Sequence, residues 1–230
     1  MFLIIITLSI LSLSLLLGFC YSYILMYTNW FKNAKIRKKQ LEPALSRKEF
    51  GKRVPLIIFN LVALYLLSIV GLYLGQGLFA MNGTTLAIAI VHFAVILFID
   101  DFAFYWIHRI MHENKFLHQK IHSVHHSTAQ SFPLDFIYAH PVEWLLGYAG
   151  AFLSVILIAS FSPVNVYAFW VWCAFRSIHE LDIHSGVKSN WSKHIPLLAK
   201  AEEHDKHHLK SKGNYASALT LWDRVLGTKL

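Results

Sequence analysis

Charged residues are scarce in this sequence, and three long segments have none. Asp, Glu, Lys and Arg are absent from residues 1–31, 54–99 and 144–175 of the 230-residue chain. A transmembrane helix needs about 20 predominantly apolar residues, so each segment is long enough to hold at least one. Buried helices of soluble proteins rarely need apolar runs of that length. The sequence therefore predicts an integral membrane protein.

Cysteine is also rare, and the two that occur, Cys20 and Cys173, both lie within apolar segments. Two such residues indicate neither a disulfide framework nor a cysteine-based zinc site. We interpret both as small apolar side chains that are buried in the protein.

The excess of positive charge is confined to two parts of the chain. Nine of the 21 Lys and Arg residues lie between Lys32 and Arg53, and the other twelve follow His108. This placement is typical of cytoplasmic loops under the positive-inside rule. The net charge of +8 is therefore attributed to membrane topology, and no nucleic-acid partner is expected.

The first two uncharged segments predict three membrane spans. Residues 2–27 form the first span. The second segment is too long for one helix, and its glycines at Gly75–Gly77 and Met81–Gly83 mark a break. We therefore expect a second span at 54–79 and a third that starts near residue 85.

The last uncharged segment, residues 144–175, is expected to enter the membrane and return. Ser162 and Pro163 break it into two pieces. A single crossing would separate the histidines after residue 176 from those at 108–126, and one metal site could not use both. The predicted fold is an all-α integral membrane protein with about four to five transmembrane or membrane-embedded helices and a cytosolic, histidine-rich helical cap.

The most informative residues are histidines at helical spacing. His108 and His112 lie one helical turn apart, and His122, His125 and His126 take the i, i+3 and i+4 positions of a second short helix. Neutral imidazole is a ligand for Fe, Zn, Cu and Ni. A lone histidine is often an ordinary core residue, but two such clusters predict a metal site.

The C-terminal part of the chain adds two further histidine groups. His204, His207 and His208 repeat the i, i+3, i+4 spacing. His179 and His184 are five residues apart, so they align only if a helix ends between them. The candidate metal ligands are His108, His112, His122, His125, His126, His179, His184, His204, His207 and His208.

Carboxylates and one tyrosine are placed to support these ligands. Asp101 and Tyr105 share one helical stripe with His108 and His112. A carboxylate behind a ligating imidazole is a common arrangement in metal sites, so we expect Asp101 and Tyr105 to lie behind the ligands. Further supporting carboxylates are expected among Glu180, Asp182, Glu203 and Asp205.

The number of candidate ligands bears on the chemistry. Ten imidazoles exceed the needs of one metal ion, since a tetrahedral zinc ion is complete with four. Two metal ions with about five nitrogen ligands each would use all of them. Each cluster follows an apolar segment, so the site is expected at the membrane face, within reach of a lipid. An oxygen-activating metal there indicates oxidation of an unactivated C–H bond.

Two other classes of function remain open. A histidine-rich metal transporter or metal-binding protein would place polar groups within its spans, and here His92, Asp100 and Asp101 qualify. A zinc hydrolase needs three protein ligands and a water, far fewer than ten. Dependence of the product on O2 would separate oxidation from hydrolysis, and metal uptake into vesicles would support transport.

The set of motifs resembles that of the sterol desaturase / fatty acid hydroxylase superfamily of membrane enzymes. The motifs are His-x3-His at 108–112, His-x2-His-His at 122–126 and at 204–208, Asn214-Tyr215 and Trp222-Asp223. The resemblance covers roughly residues 95–228. On that basis residues 95–230 are interpreted as a fatty acid hydroxylase-like catalytic domain, and residues 1–94 as N-terminal membrane spans with a basic loop.

The resemblance implies a particular activity. It implies a non-haem di-iron centre held by the ten histidines, O2 as co-substrate, and hydroxylation or desaturation of a sterol, fatty acyl or related lipid. It also implies electrons from a separate donor of the cytochrome b5 or ferredoxin type. The metal site would lie on the cytosolic side of the endoplasmic reticulum in a eukaryote or of the inner membrane in a bacterium.

Overall fold

The structure is a computed structural model that describes residues 1–36, 47–82, 85–128, 132–189 and 191–230. Its α-helices are α1 (Phe2–Tyr27), α2 (Arg47–Leu74), α3 (Leu86–Glu113), α4 (Lys115–Leu117), α5 (Ser123–His126), α6 (Pro141–Leu146), α7 (Ala149–Ala159), α8 (Val166–Ile183), α9 (Ala201–Lys210) and α10 (Leu221–Val225). A π-helical turn at His118–His122 and 3-10 turns at Gln76–Leu78, Pro133–Ile137 and Ser192–His194 lie between them. The predicted all-α class is confirmed.

Four helical stretches are long and apolar enough to span a membrane. They are Phe2–Tyr27, Phe50–Leu74, Leu86–Glu113 and Pro141–Ala159. Many of their large apolar side chains are more than half exposed and are suited to contact lipid, among them Leu13, Leu16, Val62, Leu66, Ile90 and Ile156. The chain is therefore an integral membrane protein.

The predicted boundaries are correct for two spans and wrong for the second. α1 covers residues 2–27 as predicted, and α3 begins one residue after the predicted start. α2 begins at Arg47 because charged residues continue the helix beyond its apolar part, and it ends at Leu74 because Gly75 interrupts it. Residues 37–46 of the basic loop and Gly83 of the predicted break lie outside the described residues.

The cysteine prediction is correct for Cys173, which is buried, and wrong for Cys20, which is exposed. Cys20 lies on α1, whose apolar side chains are exposed over much of its length. Apolar surroundings in the sequence indicate burial in a soluble protein, but on a membrane helix they indicate lipid equally well.

The segment after α6 enters the helix bundle and returns. α7 packs on α3, where a Cβ atom at Gly150 would lie 2.6 Å from Asp100 Cα, so glycine permits the close approach. At the far turn, His92 Nδ1 accepts a hydrogen bond from the Asn165 amide at 3.0 Å. α8 then runs back, and His184 at its end lies beside His125. The predicted break near Ser162 is confirmed.

Two short parallel β-strands pair at the end of the bundle where the chain turns from α7 into α8. β1 (Phe79–Ala80) follows α2, and β2 (Val164–Asn165) precedes α8. Phe79 pairs with Val164 and Ala80 with Asn165. This pairing joins the α2–α3 connection to the start of α8, where a core cluster around Ile96 and Trp172 begins.

α2 anchors the segment that follows the second histidine cluster. The Asn60 side chain donates to the carbonyl oxygens of Ile137 at 2.8 Å and Ala139 at 3.0 Å. Arg53 donates to Asp135 at 2.6 Å, and the Asp135 side chain is fully buried. These contacts hold Tyr138 in place between them.

Candidate metal centre

Five histidines from three parts of the chain converge and are called the first group. One ring nitrogen each of His108, His112, His122, His126 and His207 lies within 4.8 Å of the others. The first two residues come from the end of α3, the next two from the π-helical turn and α5, and the last from α9.

Four further histidines converge beside them and are called the second group. They are His125, His184, His204 and His208, all buried, with ligating atoms within 4.8 Å of one another. α8 ends at Ile183, so His184 begins a new chain direction. The helix end expected between His179 and His184 is present, but it does not bring the two histidines together, because only His184 belongs to this group.

Each His-x2-His-His cluster contributes to both groups. Within a cluster, the residues at i and i+4 lie one above the other on the helix and belong to the same group. The i+3 residue belongs to the other group. The i+3 residues are His125, which joins the second group, and His207, which joins the first. Two short helices thereby serve two adjoining sites.

One loop holds three histidines of the first group through carbonyl oxygens of alternate residues. The Nδ1 protons of His112, His207 and His108 are donated to the carbonyl oxygens of Ser211 (3.0 Å), Gly213 (2.7 Å) and Tyr215 (2.7 Å), respectively. A carbonyl oxygen only accepts, so Nδ1 carries the proton in each ring and Nε2 is the unprotonated nitrogen. The loop therefore sets the ring orientation and tautomer that metal ligation requires.

Two buried carboxylates hold this loop in position. Asp101 accepts hydrogen bonds from the consecutive amides of Ala218 at 2.7 Å and Leu219 at 3.0 Å. Asp223 accepts from the amides of Tyr215 at 2.8 Å and Ala216 at 3.0 Å. Asp101 therefore lies behind the site and acts on His108 through the loop rather than through direct contact.

The start of the same loop requires glycine at one position. Gly213 has φ +65°, and a Cβ atom there would lie 2.6 Å from the carbonyl oxygen of Thr228. Tyr105 contributes from the other side, because its hydroxyl lies 3.0 Å from Thr228 Oγ1. Tyr105 thus supports the C-terminal segment at Thr228, which lies against the loop at Gly213.

Three other ligand candidates are oriented by different acceptors. His122 Nδ1 lies 2.8 Å from Glu143 Oε1, within hydrogen-bond distance. His125 Nδ1 donates to the Tyr138 carbonyl at 3.3 Å, and His184 Nδ1 to the Glu180 carbonyl at 3.0 Å. Glu143 was not among the predicted site residues, although it is the last charged residue before the long uncharged segment 144–175.

Two converging pairs of nitrogens have no proton between them. His112, His125, His184 and His207 carry their proton on Nδ1, because that atom faces a carbonyl oxygen, which only accepts. Yet Nε2 atoms face each other at 3.2 Å (112 to 207) and 3.4 Å (125 to 184). Facing lone pairs repel unless a cation lies between them. Neighbouring ligands on metal–nitrogen bonds of about 2.1 Å are about 3.0–3.4 Å apart.

Burial keeps the imidazoles in the ligating form. The pKa values of His125, His204, His207 and His208 lie well below the ordinary value, first because burial disfavours the imidazolium and second because neighbouring histidines repel its charge. Neutral rings are the form that binds metals. The donor set therefore fits metal ions without prior loss of protons near neutral pH.

His179 is the predicted ligand that lies outside both groups. It is buried, its Nε2 donates to the Ser217 carbonyl at 3.1 Å, and its ring stacks on Phe175 with centroids 5.6 Å apart. These contacts place it beside the end of the carbonyl-bearing loop.

Among the other predicted carboxylates, Glu180 lies beside a histidine of the second group, and the partners of Asp182 and Glu203 are other residues. Glu180 Oε2 lies 3.5 Å from His184 Nδ1, and Glu180 also accepts from the Ser217 hydroxyl. Asp182 accepts from the Ser189 hydroxyl at 2.6 Å. Glu203 pairs with Lys229 at 2.6 Å, and Asp205 is buried on α9.

A largely apolar cavity of about 360 Å³ lies beside the histidines. His125, His184 and His204 of the second group line it together with His108. Its remaining wall comes mainly from apolar side chains of α1, α2, α7 and α8. Three charged residues, Glu143, Arg176 and Glu180, also face it. The arrangement joins a candidate metal site to a space suited to a lipid.

The fold and the site define an all-α integral membrane protein with two adjoining histidine groups that could hold metal ions. A protein-family model described as fatty acid hydroxylase matches residues 93–228, which is more than half of the chain. The chain belongs to the fatty acid hydroxylase family. The resemblance inferred from the motifs is thereby confirmed.

The similar proteins include methylsterol monooxygenases and an aldehyde decarbonylase. Methylsterol monooxygenase 1 of Rattus norvegicus is 36% identical over 132 residues, which cover 56% of this chain and 43% of that protein. Methylsterol monooxygenase 2-2 of Arabidopsis thaliana is 38% identical, covering 56% of this chain and 49% of that protein. The very-long-chain aldehyde decarbonylase GL1-8 of Oryza sativa subsp. indica is 32% identical over 211 residues, covering 86% and 74%.

The alignments thus cover less than half the length of these methylsterol monooxygenases. No solved structure matches the chain.

Proposed function

We propose that this protein is an O2-dependent oxidoreductase that hydroxylates or desaturates a lipid at a histidine-held di-iron centre. The observation that carries the proposal is the set of Nε2 atoms that face each other without a proton between them, in two adjoining groups beside an apolar cavity. Such a donor set is repulsive without cations and favourable with them.

Nine histidines would hold the two ions, five in the first group and four in the second. The sequence favoured ten, and His179 is given a supporting role here because neither of its ring nitrogens belongs to either group. Iron in such a site supplies the capacity to activate O2 toward an unactivated C–H bond.

The cavity residues would bind the substrate and exclude water from the reacting carbon. The apolar wall binds a hydrocarbon portion through burial of its surface, and His125, His184 and His204 place the second group next to it. Arg176 does not neutralise a lipid headgroup in this arrangement, because it pairs with Asp100 and donates to the Gly147 carbonyl at 2.6 Å.

The names of the relatives support oxidation of a lipid, since one kind names a methylsterol monooxygenase and the other an aldehyde decarbonylase. We further propose that residues 95–230 form the catalytic part and that the histidines face the cytosol. Reducing equivalents would come from a separate donor of the cytochrome b5 or ferredoxin type. The metal-transport alternative is not favoured, because these relatives are named as enzymes.

The test combines metal analysis with lipid profiling. Purified protein should contain about two iron ions per chain, the number expected from two histidine groups. Cells that express it under 18O2 should accumulate a lipid that has gained one labelled oxygen or lost two hydrogens. The matched variants are His204→Ala, which should abolish the product, and His194→Ala, which lies outside both groups and should retain it. Product formation without O2, or full activity of His204→Ala, would refute the proposal.

A further inference from the structure

The apolar cavity is exposed to the outside of the protein along one edge. Its described lining residues on α1, α3 and α8, and the histidines at its end, are buried or half-buried. Other lining residues are exposed, and all of them are apolar or glycine: Leu67, Gly71, Leu78, Leu145, Phe152 and Ile156. These residues therefore border the cavity on one side and the surroundings of the protein on the other.

The exposed lining residues come from two of the four stretches that could span a membrane. The first three lie in or directly after Phe50–Leu74, and the last three lie in Pro141–Ala159. α2 packs on α1 and α7 packs on α3, so the two stretches are held by different neighbours. The edge of the cavity between them therefore faces the hydrocarbon of the bilayer rather than water.

Gly71 and Phe152 face each other across this edge. Outside the backbone of its own helix, the atom nearest to a Cβ added at Gly71 is Phe152 Cε1, at 4.0 Å. Glycine thus leaves free a gap that a larger side chain would fill. Phe152 is 52% exposed, so lipid rather than protein covers about half of its side chain.

The cavity is long enough to hold a lipid lengthwise. Its wall on α8 runs from Phe169 to His184, which is about 22 Å at the helical rise per residue. His184 belongs to the second group, and Phe169 packs on Phe79 at the far end with ring centroids 5.1 Å apart. The hydrocarbon core of a bilayer is about 30 Å thick. A lipid in the bilayer could therefore move in sideways without leaving the hydrocarbon.

We propose that the lipid substrate enters the cavity sideways from the bilayer, through the gap between Gly71 on α2 and Phe152 on α7. The inference rests on the proposed function and narrows its substrate class to lipids that are dissolved in the membrane, as opposed to acyl chains presented by a water-soluble carrier. Passage through water would cost an apolar chain about 0.8 kcal/mol per CH2 group, and this route avoids that cost.

The histidine end of the cavity gives the same result from the other direction. His125, His184 and His204 are buried there, as are Ala139 and Ser217. Among the described lining residues at this end, none that lies outside the two membrane stretches is exposed. A carrier in the cytosol would therefore have to displace packed residues, whereas a lipid in the bilayer meets an existing edge.

A gap that limits entry acts on rates more than on affinity. Gly71→Phe adds a ring opposite Phe152 and should slow both entry and exit by about 10-fold or more, with Kd within about 3-fold of the wild type. Phe152→Ala removes the opposing ring and should speed both steps. A residue that only contacts the bound lipid would change the exit rate and Kd together.

The experiment follows entry in nanodiscs without O2, so that no turnover is needed. The probes are dibromostearic acid and dibromocholesterol, whose bromine atoms quench tryptophan fluorescence. Trp144 and Trp172 line the cavity and are buried. Quenching that is lost in the double variant Trp144→Phe/Trp172→Phe reports entry into the cavity. Quenching that persists in it reports arrival of the probe in the bilayer, so the delay between the two is the entry step.

Gly77→Phe is the matched control. Gly77 is also an exposed glycine, three residues beyond the end of α2, and nothing lies within 4 Å of its added Cβ atom. It is not among the residues that line the cavity, so this variant should keep the rates of the wild type.

Equal entry rates in the wild type, Gly71→Phe and Phe152→Ala would overturn the inference, as would lack of cavity quenching by both probes. The wild type alone gives a further test, which decides even if a variant does not fold. Its entry rate should follow the mole fraction of probe in the bilayer, and a rate that follows the aqueous concentration instead would also overturn the inference. Failure of the proposed function is a separate result, because it shows as lack of O2-dependent product whatever the entry rates.

Discussion

His126 stacks on His208 with ring centroids 4.5 Å apart and an angle of 27° between the planes. His126 belongs to the first group and His208 to the second, so the two candidate metal positions adjoin at this stack. Both rings bury an Nδ1 atom that has no partner. The two groups therefore lie side by side, with the C-terminal cluster directly against the earlier clusters.

Because each group has its own ligands, one substitution should empty one site in preference to the other. His207→Ala removes a fully buried histidine of the first group and should lower iron from about two ions per chain to about one. Activity should be lost, since the proposed reaction uses both ions. Elemental analysis of purified protein measures the ratio, and His194→Ala is the control that should keep it. Two retained ions in His207→Ala would contradict the assignment of this group.

Asp101→Asn tests whether the loop that bears the carbonyl oxygens positions the histidines. Asparagine keeps one accepting oxygen but presents an NH2 group to the second amide, so one buried donor at Ala218 or Leu219 loses its partner. We expect a loss of stability of about 1–3 kcal/mol. Iron affinity should fall as well, because His108 depends on the loop.

Thermal unfolding in detergent and iron titration measure the two effects. Glu113→Gln is the control, since its side chain is 55% exposed and should change stability little. A variant that loses stability but binds iron as tightly as the wild type would show that the loop does not govern the site.

Much of the fold could be predicted because lipid imposes a strong and local constraint. The first uncharged run located α1 to the residue, the glycine-marked break located the start of α3 within one residue, and Pro163 marked the turn between α7 and α8. The start of α2 could not be read from the same signal. Charge ends an apolar run but not a helix, since Lys, Arg and Glu are good helix formers.

Site residues could be predicted where the evidence is a short-range spacing in the sequence. They could not be predicted where their role depends on contacts between distant segments. Helical spacing identified eight of the nine histidines that the structure brings together, and the ninth, His184, was a candidate only on the condition that a helix ends before it. It could not show that His125 and His207 cross to the group opposite their neighbours, because that depends on how separate helices face each other. Glu143 and the carbonyl oxygens of the loop were missed for the same reason. A backbone carbonyl has no signature in the sequence, and its role follows from tertiary structure alone.

Arg53→Met should destabilise the protein in a pH-dependent manner. Burial raises the pKa of Asp135 to about 6 although Arg53 lowers it. A raised pKa means that Asp135 holds its proton to higher pH in the folded state than in the unfolded state. Stability therefore falls as the pH rises from the ordinary pKa of 3.8 through the folded-state pKa of about 6. Without Arg53 the carboxylate is buried and unpaired, which costs up to about 3–5 kcal/mol.

The cost of Arg53→Met should therefore be small near pH 5, where the carboxyl is neutral, and large near pH 8. Unfolding midpoints of variant and wild type across this range measure it. Lys188→Met, at an exposed position, should show no such trend. A variant that is equally destabilised at both pH values would contradict the role given to the buried charge.

Gly150→Ala tests the close packing of α7 on α3. An added Cβ atom would lie 2.6 Å from Asp100 Cα and 2.7 Å from its carbonyl oxygen, and backbone atoms cannot move aside as a flexible side chain can. The helices must separate, at a cost of about 1–3 kcal/mol. Gly51→Ala is the control, because nothing lies within 4 Å of its added Cβ atom and alanine is the better helix former. Thermal unfolding should show a lower midpoint for Gly150→Ala and an equal or higher one for Gly51→Ala, and the opposite order would mean that this contact does not limit the packing.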